Sequence, residues 1–180
     1  ELGNGYLREK ALDDRIGCAI MVDILNKDLP YDVTCVFTVQ EEIGTRGAKV
    51  AAYTVKPDYA IVLETTTACD FSGNDGEKRV CELGKGCVVS YMDRSTIYDR
   101  ELYRLGFEKA KEINVPCQTK TLVAGGNDSG AIHSSVGGIR TVALSVPCRY
   151  LHSPSCMIKK SYVQITAELA YAMYLALAEK

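Results

Sequence analysis

A chain of 180 residues with 47% hydrophobic content is long enough to bury one sizeable core, so one domain is the expected count, and disorder is disfavoured. Its 21 basic and 23 acidic residues leave a formal charge of −2 without any Lys/Arg run. That balance argues against nucleic-acid and membrane-surface partners and favours a small polar or peptide partner. No apolar run reaches the roughly 18 residues of a membrane span and no signal-peptide pattern opens the chain, so a cytoplasmic protein is expected. The eight cysteines show no C-x-x-C spacing, and several fall inside apolar patterns. Reduced thiols packed as small hydrophobes are therefore expected rather than a disulfide framework or a zinc-cysteine site.

The chain opens Glu1-Leu2-Gly3-Asn4-Gly5-Tyr6 with no initiator Met, as the middle of a longer protein would. Ala11-Leu12-Asp13-Asp14-Arg15-Ile16-Gly17 leads into a helical pattern over Cys18–Leu25. One aspartate suffices to cap that helix, and the second is left over, free to reach a metal. Leu29-Pro30 ends the helix. Tyr31 to Thr38, β-branched and aromatic with little charge, is predicted to be a buried strand, delivering Glu41 and Glu42 to the end of a sheet where ligands collect. Taken alone, a Glu-Glu pair at such a place is more often simply solvated.

Gly44-Thr45-Arg46-Gly47 turns the chain into a short helical pattern from Ala48 to Tyr53, and Tyr59–Leu63 reads as a strand ending in Glu64. Strand, helix and strand at this spacing describe a βαβ unit, which would bring Glu41, Glu42 and Glu64 to one edge. Thr65 to Lys85 is polar and rich in Gly, Asp and Asn. It reads as a long loop and a candidate border for the substrate. A strand over Cys87–Met92, a helix from about Asp99 to Ile113 and a strand over Cys117–Val123 follow.

Gly125-Gly126-Asn127-Asp128 forms a glycine-rich turn in which the backbone can approach a ligand. His133, in the short helix after it, reads as a packing or hydrogen-bonding histidine rather than a ligand. Gly138–Pro147 is a predicted strand, His152 lies in the loop beyond it, and Ser161–Ala178 is an amphipathic closing helix. The expected fold is α/β, a mixed and largely parallel sheet flanked by helices. Carboxylates at Asp13/Asp14, Glu41/Glu42 and Glu64 together with His152 suit one or two Zn²⁺, Co²⁺ or Mn²⁺ ions used for hydrolysis.

The segments Ala11–Gly17, Val39-Gln40-Glu41-Glu42-Ile43-Gly44, Gly125-Gly126-Asn127-Asp128 and Arg149-Tyr150-Leu151-His152-Ser153-Pro154 resemble, in order, the motifs of the M42 family of co-catalytic metallo-aminopeptidases. The resemblance implies a zinc-peptidase-like α/β domain acting on peptides, with two divalent ions per intact subunit, Zn or Co or Mn. It implies that Asp13 bridges the ions, that Glu42 and His152 complete one site, and that Glu64 belongs to the other. Glu41 would be the general base for the metal-bridging water. Asp14 would support Asp13 from behind, joined to it by a cis peptide bond, and Gly125, Gly126 and Asp128 would support the ligands or the substrate.

Two positions depart from the family pattern: Glu64 stands where Asp is usual, and Asn127 replaces Thr. The family's first metal-binding histidine, its N-terminal strands and its assembly domain all precede the Asp-Asp motif, so residues 1–180 are expected to be the C-terminal part of a catalytic domain, and the intact protein a homo-oligomer. Deacylation of N-acyl amino acids and a catalytically incomplete fragment are the alternatives. A glycosidase would need only a carboxylate pair and would leave His152 and the Asp-Asp turn without a purpose.

Overall fold

The computed structural model describes all of residues 1–180 except the side chain of Glu77. Near the N-terminus, Tyr6–Glu9 (β1) is followed by Leu12–Leu25 (α1), whose Leu12, Ile16, Ile20 and Ile24 recur on one helical face and are buried. Asp13 and Asp14 depart from helical φ/ψ, so the regular helix begins after them. Arg46–Val55 (α2) buries only Ala48 and Ala52, one turn apart. Tyr59–Thr67 (β2) and Cys87–Val89 (β3) precede Arg100–Glu112 (α3), whose first turn is capped by the Asp99 carboxylate accepting the N–H groups of Glu101 and Leu102. Cys117–Thr119 (β4), the single turn Ser129–Ile132 (α4), Arg140–Cys148 (β5), Cys156–Lys159 (β6) and Lys160–Ala178 (α5) complete the chain.

The main sheet has the order β2-β5-β3-β4, with β2 parallel to β5, β3 antiparallel to β5, and β3 parallel to β4. Val142, Leu144, Val146, Cys87 and Val89 point to one face and share a core with α1, α3 and α5. Leu144, Leu102, Ile20, Leu169 and Met173 are all fully buried there, and cutting one such leucine back to Ala costs roughly 2–5 kcal/mol. The opposite face carries Val62, Glu64, Val88, Ala143 and Ser145, and it is this face that holds polar groups. The near-continuous burial of β5 reflects helices on one side and the site on the other.

Several elements differ from the sequence reading. Tyr31–Thr38 is not a buried strand: it joins no ladder among the described residues, and Tyr31, Val33, Phe37 and Val39 are exposed. High β-propensity does not make a strand without a neighbour to pair with. The segment is held instead by the Tyr174 hydroxyl, which accepts from Tyr31 N–H and donates to Tyr31 O, and by Thr38 Oγ1 donating to Asp128 Oδ2 at 2.6 Å. The expected βαβ unit is therefore absent as a paired motif. Strand β2 runs four residues beyond Leu63, so Glu64 sits within a strand rather than at its end. The predicted strand over Cys87–Met92 is only three residues long, Cys87–Val89, and that over Cys117–Val123 likewise, Cys117–Thr119.

The antiparallel ribbon of β1 with β6 went unread, since its two halves lie far apart in sequence. All eight cysteines are free, with Cys81, Cys87, Cys148 and Cys156 buried. No helix among the described residues is long and apolar enough to cross a membrane.

Candidate active site

Asp13 and Asp14 occupy the turn that enters α1 and divide the work between them. Their shared peptide bond is cis. Asp14 Oδ1 accepts the Gly17 N–H at 3.0 Å, so Asp14 is the residue that caps the helix. Gly17 is required there, because a Cβ would meet the Asp14 carboxylate at 2.1 Å and Leu63 O at 2.7 Å. Asp13 is thereby turned outward, with Oδ1 accepting from Thr65 Oγ1 at 2.8 Å and Oδ2 lying 3.2 Å from His152 Nε2.

His152 also reaches Glu42 Oε2 at 3.3 Å. One imidazole thus faces two carboxylates, and the ligating atoms of Asp13, Glu42 and His152 all lie within 4.8 Å of one another. A second group, Asp13, Asp14 and Glu64, meets the same distance limit. Glu41 and Glu64 line a cavity of about 260 Å³ with Asp13, Glu42 and His152, so the carboxylates expected to converge do so, although Glu41 and Glu42 arrive on a loop. Gln40, the residue before the pair, has φ 61°, and His152 has φ 57°. Left-handed backbone at two non-glycine residues bordering one cavity is the kind of strain that surrounding structure must enforce.

The loop carrying His152 is tied at its start. Arg149 donates through Nε to Asp70 Oδ1 at 2.6 Å and through Nη2 to Oδ2 at 3.1 Å, while Asp70 also accepts the Leu83 N–H. The arginine pair holds the Asp70 carboxyl below its usual range despite its burial. The polar segment after β2 is thus a brace for the His152 loop, a role its composition did not reveal.

On the other side of the cavity, Gly125 takes φ +62°, and Gly126 packs so close to Ser95 that a Cβ would sit 2.8 Å from its Oγ. Asn127 accepts the Ser129 N–H at 2.8 Å and donates to the Tyr98 hydroxyl at 3.1 Å; Tyr98 in turn donates to Asp93 Oδ2. Asparagine can make both bonds from one side chain, which gives a physical purpose to the departure at this position. Asp128 is buried, and its Oδ1 has no protein partner among the described residues. His133 Nδ1 lies 2.8 Å from Ser129 O, so it is a hydrogen-bonding histidine outside the cluster.

The charge balance of the cavity is lopsided. Burial first, then the Coulomb repulsion of Glu42, Asp128 and Asp13, push the Glu41 carboxyl up to about 7. Burial, with the neighbouring carboxylates adding to it, raises both Asp14 and Glu64 well above the usual carboxylate range. Several acids crowded in low dielectric without a compensating cation are unfavourable when ionised. A divalent cation removes that penalty, and the donor set of oxygens with one imidazole suits Zn²⁺, Co²⁺ or Mn²⁺. The residues present therefore fit the metal ions that the motifs imply.

Residues 1–169 match the family described as M42 glutamyl aminopeptidase. The chain belongs to that family. Among M42 relatives, a putative aminopeptidase of Acetivibrio thermocellus is 44% identical over 149 residues, covering 81% of this chain and 44% of that protein. A lysyl aminopeptidase of Pyrococcus furiosus is 34% identical, covering 90% of this chain and 46% of its own length. A glutamyl aminopeptidase of Lactococcus lactis is 32% identical, covering 80% and 40%. The chain spans less than half the length of these relatives. Among solved structures, an aminopeptidase of the archaeon Desulfurococcus kamchatkensis superposes with a TM-score of 0.91 at 28% identity, covering 100% of this chain and 54% of that one. The TET1 peptidase of Pyrococcus horikoshii gives 0.82 at 30%, covering 96% and 51%.

Two site residues of this M42 chain escaped the sequence reading. Thr65 braces Asp13, and Lys120 enters the cavity as the one Lys or Arg among its described lining residues. Once the strand register is known, parity places Lys120: Glu64, Ser145, Val88 and Gln118 are cross-strand neighbours in one row, and Lys120 lies two residues past Gln118 on the same face, whereas Thr65, paired with Val146, has the opposite parity.

Proposed function

We propose that the intact protein is a metal-dependent aminopeptidase that removes N-terminal residues from peptides. The observation that carries this reading is the convergence of Asp13, Glu42 and His152, with Glu41 in the same cavity. Two divalent ions, Zn²⁺, Co²⁺ or Mn²⁺, would be held by Asp13, Glu42 and His152 on one side and by Asp13 and Glu64 on the other. When bound, such ions acidify water and polarise a carbonyl group.

The chain's own residues do the rest. Asp13 is oriented by Thr65 and serves both clusters. Asp14 caps α1 and so fixes where Asp13 points. Glu41 takes the proton from the attacking water and returns it to the leaving amine, a task suited to a carboxyl poised near neutral pH. The Gly125-Gly126 turn lets the peptide backbone approach, and Asp128, anchored by Thr38, supports that wall. Assembly into a homo-oligomer is proposed as well, since the P. horikoshii TET1 peptidase is described as forming a tetrahedron or an octahedral shell.

The test is Glu41→Gln in the intact protein. The expected result is a fall in kcat on the order of 10²-fold or more, the range for removing a positioned general base, with metal content unchanged. Loss of metal with full activity per bound ion would reverse the roles given to Glu41 and Glu42.

A further inference from the structure

A groove of about 870 Å³ runs between α2 and α4 beside the acidic cavity, and the two spaces share Gly126 and Asn127 as lining residues. Its floor is close-packed. A Cβ on Gly126 would meet Ser95 Oγ at 2.8 Å and one on Gly130 would meet it at 2.7 Å, so both glycines rest directly on that serine. The walls are apolar and uncovered: Val50 and Tyr53 of α2 are each 68% exposed, and Val136, beyond α4, is exposed as well. Lys49 is the one charged residue among those lining the groove, and it forms no ion pair among the described residues. The metal chemistry of the neighbouring cavity makes no use of this groove.

The reaction itself orders the two spaces. Hydrolysis leaves the acyl residue with the metal ligands and the departing amine beside the acid that protonates it, and Glu41 holds that place under the aminopeptidase reading. The Glu41 carbonyl accepts the N–H groups of Gly44 at 3.0 Å and Thr45 at 2.9 Å, and both of these residues line the groove. The turn that carries the base is thus also the entrance to the groove. The cavity, at about 260 Å³, is sized for one residue, whereas the groove has room for more than one. Charge agrees with that order, since a short peptide lying along both spaces has its amino end among the acids and its carboxylate toward Lys49.

We propose that the groove between α2 and α4 is the binding site for the part of the peptide beyond the scissile bond. Apolar second and third side chains lie against Val50 and Tyr53, and the C-terminal carboxylate of a tripeptide reaches Lys49. The proposal rests on the aminopeptidase reading and adds a substrate class to it: short peptides with a free C-terminus and apolar residues after the first.

The experiment compares kcat/KM of the intact, metal-loaded protein on the tripeptides Leu-Val-Val and Leu-Ser-Ser, on Leu-Val-Val amide, and on leucinamide, whose leaving ammonia puts nothing in the groove. Leu-Val-Val should exceed Leu-Ser-Ser by about tenfold, the effect of partly burying apolar side chains of that size. Val50→Ser and Tyr53→Ser should each remove most of that difference, and both positions are exposed enough to tolerate the change. The free acid should exceed the amide by about 2- to 5-fold, the range of an exposed ion pair, and Lys49→Met should cancel that advantage while Lys49→Arg keeps it. Turnover of leucinamide reports that each variant is folded and loaded. Calorimetry with acetyl-Val-Val, which has no free amine to enter the cavity, reads the groove without turnover, and Tyr53→Ser should weaken it.

Equal losses on the tripeptides and on leucinamide would overturn the proposal. So would a change of oligomeric state in Val50→Ser or Tyr53→Ser, read by light scattering, with the preference for Leu-Val-Val intact, since the groove would then hold a second copy of the chain. If the wild type cleaves neither leucinamide nor any tripeptide, the aminopeptidase reading fails. Calorimetry then decides the groove alone: acetyl-Val-Val bound by the wild type and weakened in Tyr53→Ser supports it, and no binding or equal binding overturns it.

Discussion

The two acidic clusters that share Asp13 are built in opposite ways. The cluster of Asp13, Glu42 and His152 stands at the mouth of the cavity, with the side chains of Glu42 and His152 59% and 63% exposed. Its members come from a helix entrance and two loops, and both loops hold non-glycine residues in left-handed backbone, Gln40 and Thr45 on one, Tyr150 and His152 on the other. The cluster of Asp13, Asp14 and Glu64 lies deeper, on a strand and a helix cap, with Glu64 buried and no imidazole among its donors. An imidazole with two carboxylates is a good site for a transition metal. Carboxylates alone in a buried setting are first of all a repulsive group, held neutral by protons until a cation arrives. One aspartate therefore joins a site made for binding to a site whose charge must be compensated.

The largest expected effect sharpens that contrast. His152→Ala should weaken the first Zn²⁺ bound by well over the 10- to 100-fold that loss of a mere supporting residue costs, whereas Glu64→Ala should leave that first ion in place. Titration of the 180-residue chain followed by calorimetry reads both. Equal effects of the two substitutions would merge the clusters into one site.

A second prediction concerns pH. Glu41 rises from an ordinary 4.5 to about 7, and Asp14 and Glu64 are raised as well, so the metal-free fold holds protons that the unfolded chain releases. Between about pH 5 and pH 7 the folded state binds more protons, and stability falls as pH rises. Asp99, lowered to about 2 by Arg140, has the opposite sign and acts only in more acidic solution. Urea denaturation at pH 5 and pH 7.5 should show the metal-free chain more stable at pH 5, and Zn²⁺ should remove the difference. Stability that rises over this window without metal would contradict the buried-acid account of the deeper cluster.

A smaller effect is expected from the brace behind His152. Arg149→Met should destabilise the fold by about 1–3 kcal/mol, the cost of leaving the mostly buried Asp70 carboxylate short of a partner, and should weaken Zn²⁺ by about tenfold. Glu64 lies on another element, so the deeper cluster should be unaffected. Unchanged Zn²⁺ affinity in Arg149→Met would show that the His152 loop holds its shape by itself.

What the sequence made legible follows the same division. Local signals located α1, α3 and α5, and Asp13, Asp14, Glu41, Glu42, Glu64 and His152 were visible as titratable residues at the ends of apolar runs. Tyr31–Thr38 was misread because its pattern specifies what could be a strand but not whether a neighbour pairs with it. Glu64 was read as the end of a strand that in fact continues through Thr67, since threonines read as a polar loop and as strand equally well. The ribbon of β1 with β6, the Arg149–Asp70 brace and the approach of Lys120 all join residues distant in sequence. Only the register of the strands brings them together.

Where the first ion goes tests the difference between the two clusters most directly. Anomalous diffraction at the zinc edge, from crystals of the 180-residue chain at less than one equivalent of Zn²⁺, would locate it. The predicted result is a single peak between Asp13, Glu42 and His152, joined at higher Zn²⁺ by a weaker one between Asp13 and Glu64. A first peak at the deeper carboxylates, or one away from His152 altogether, would contradict the division of labour between the two clusters.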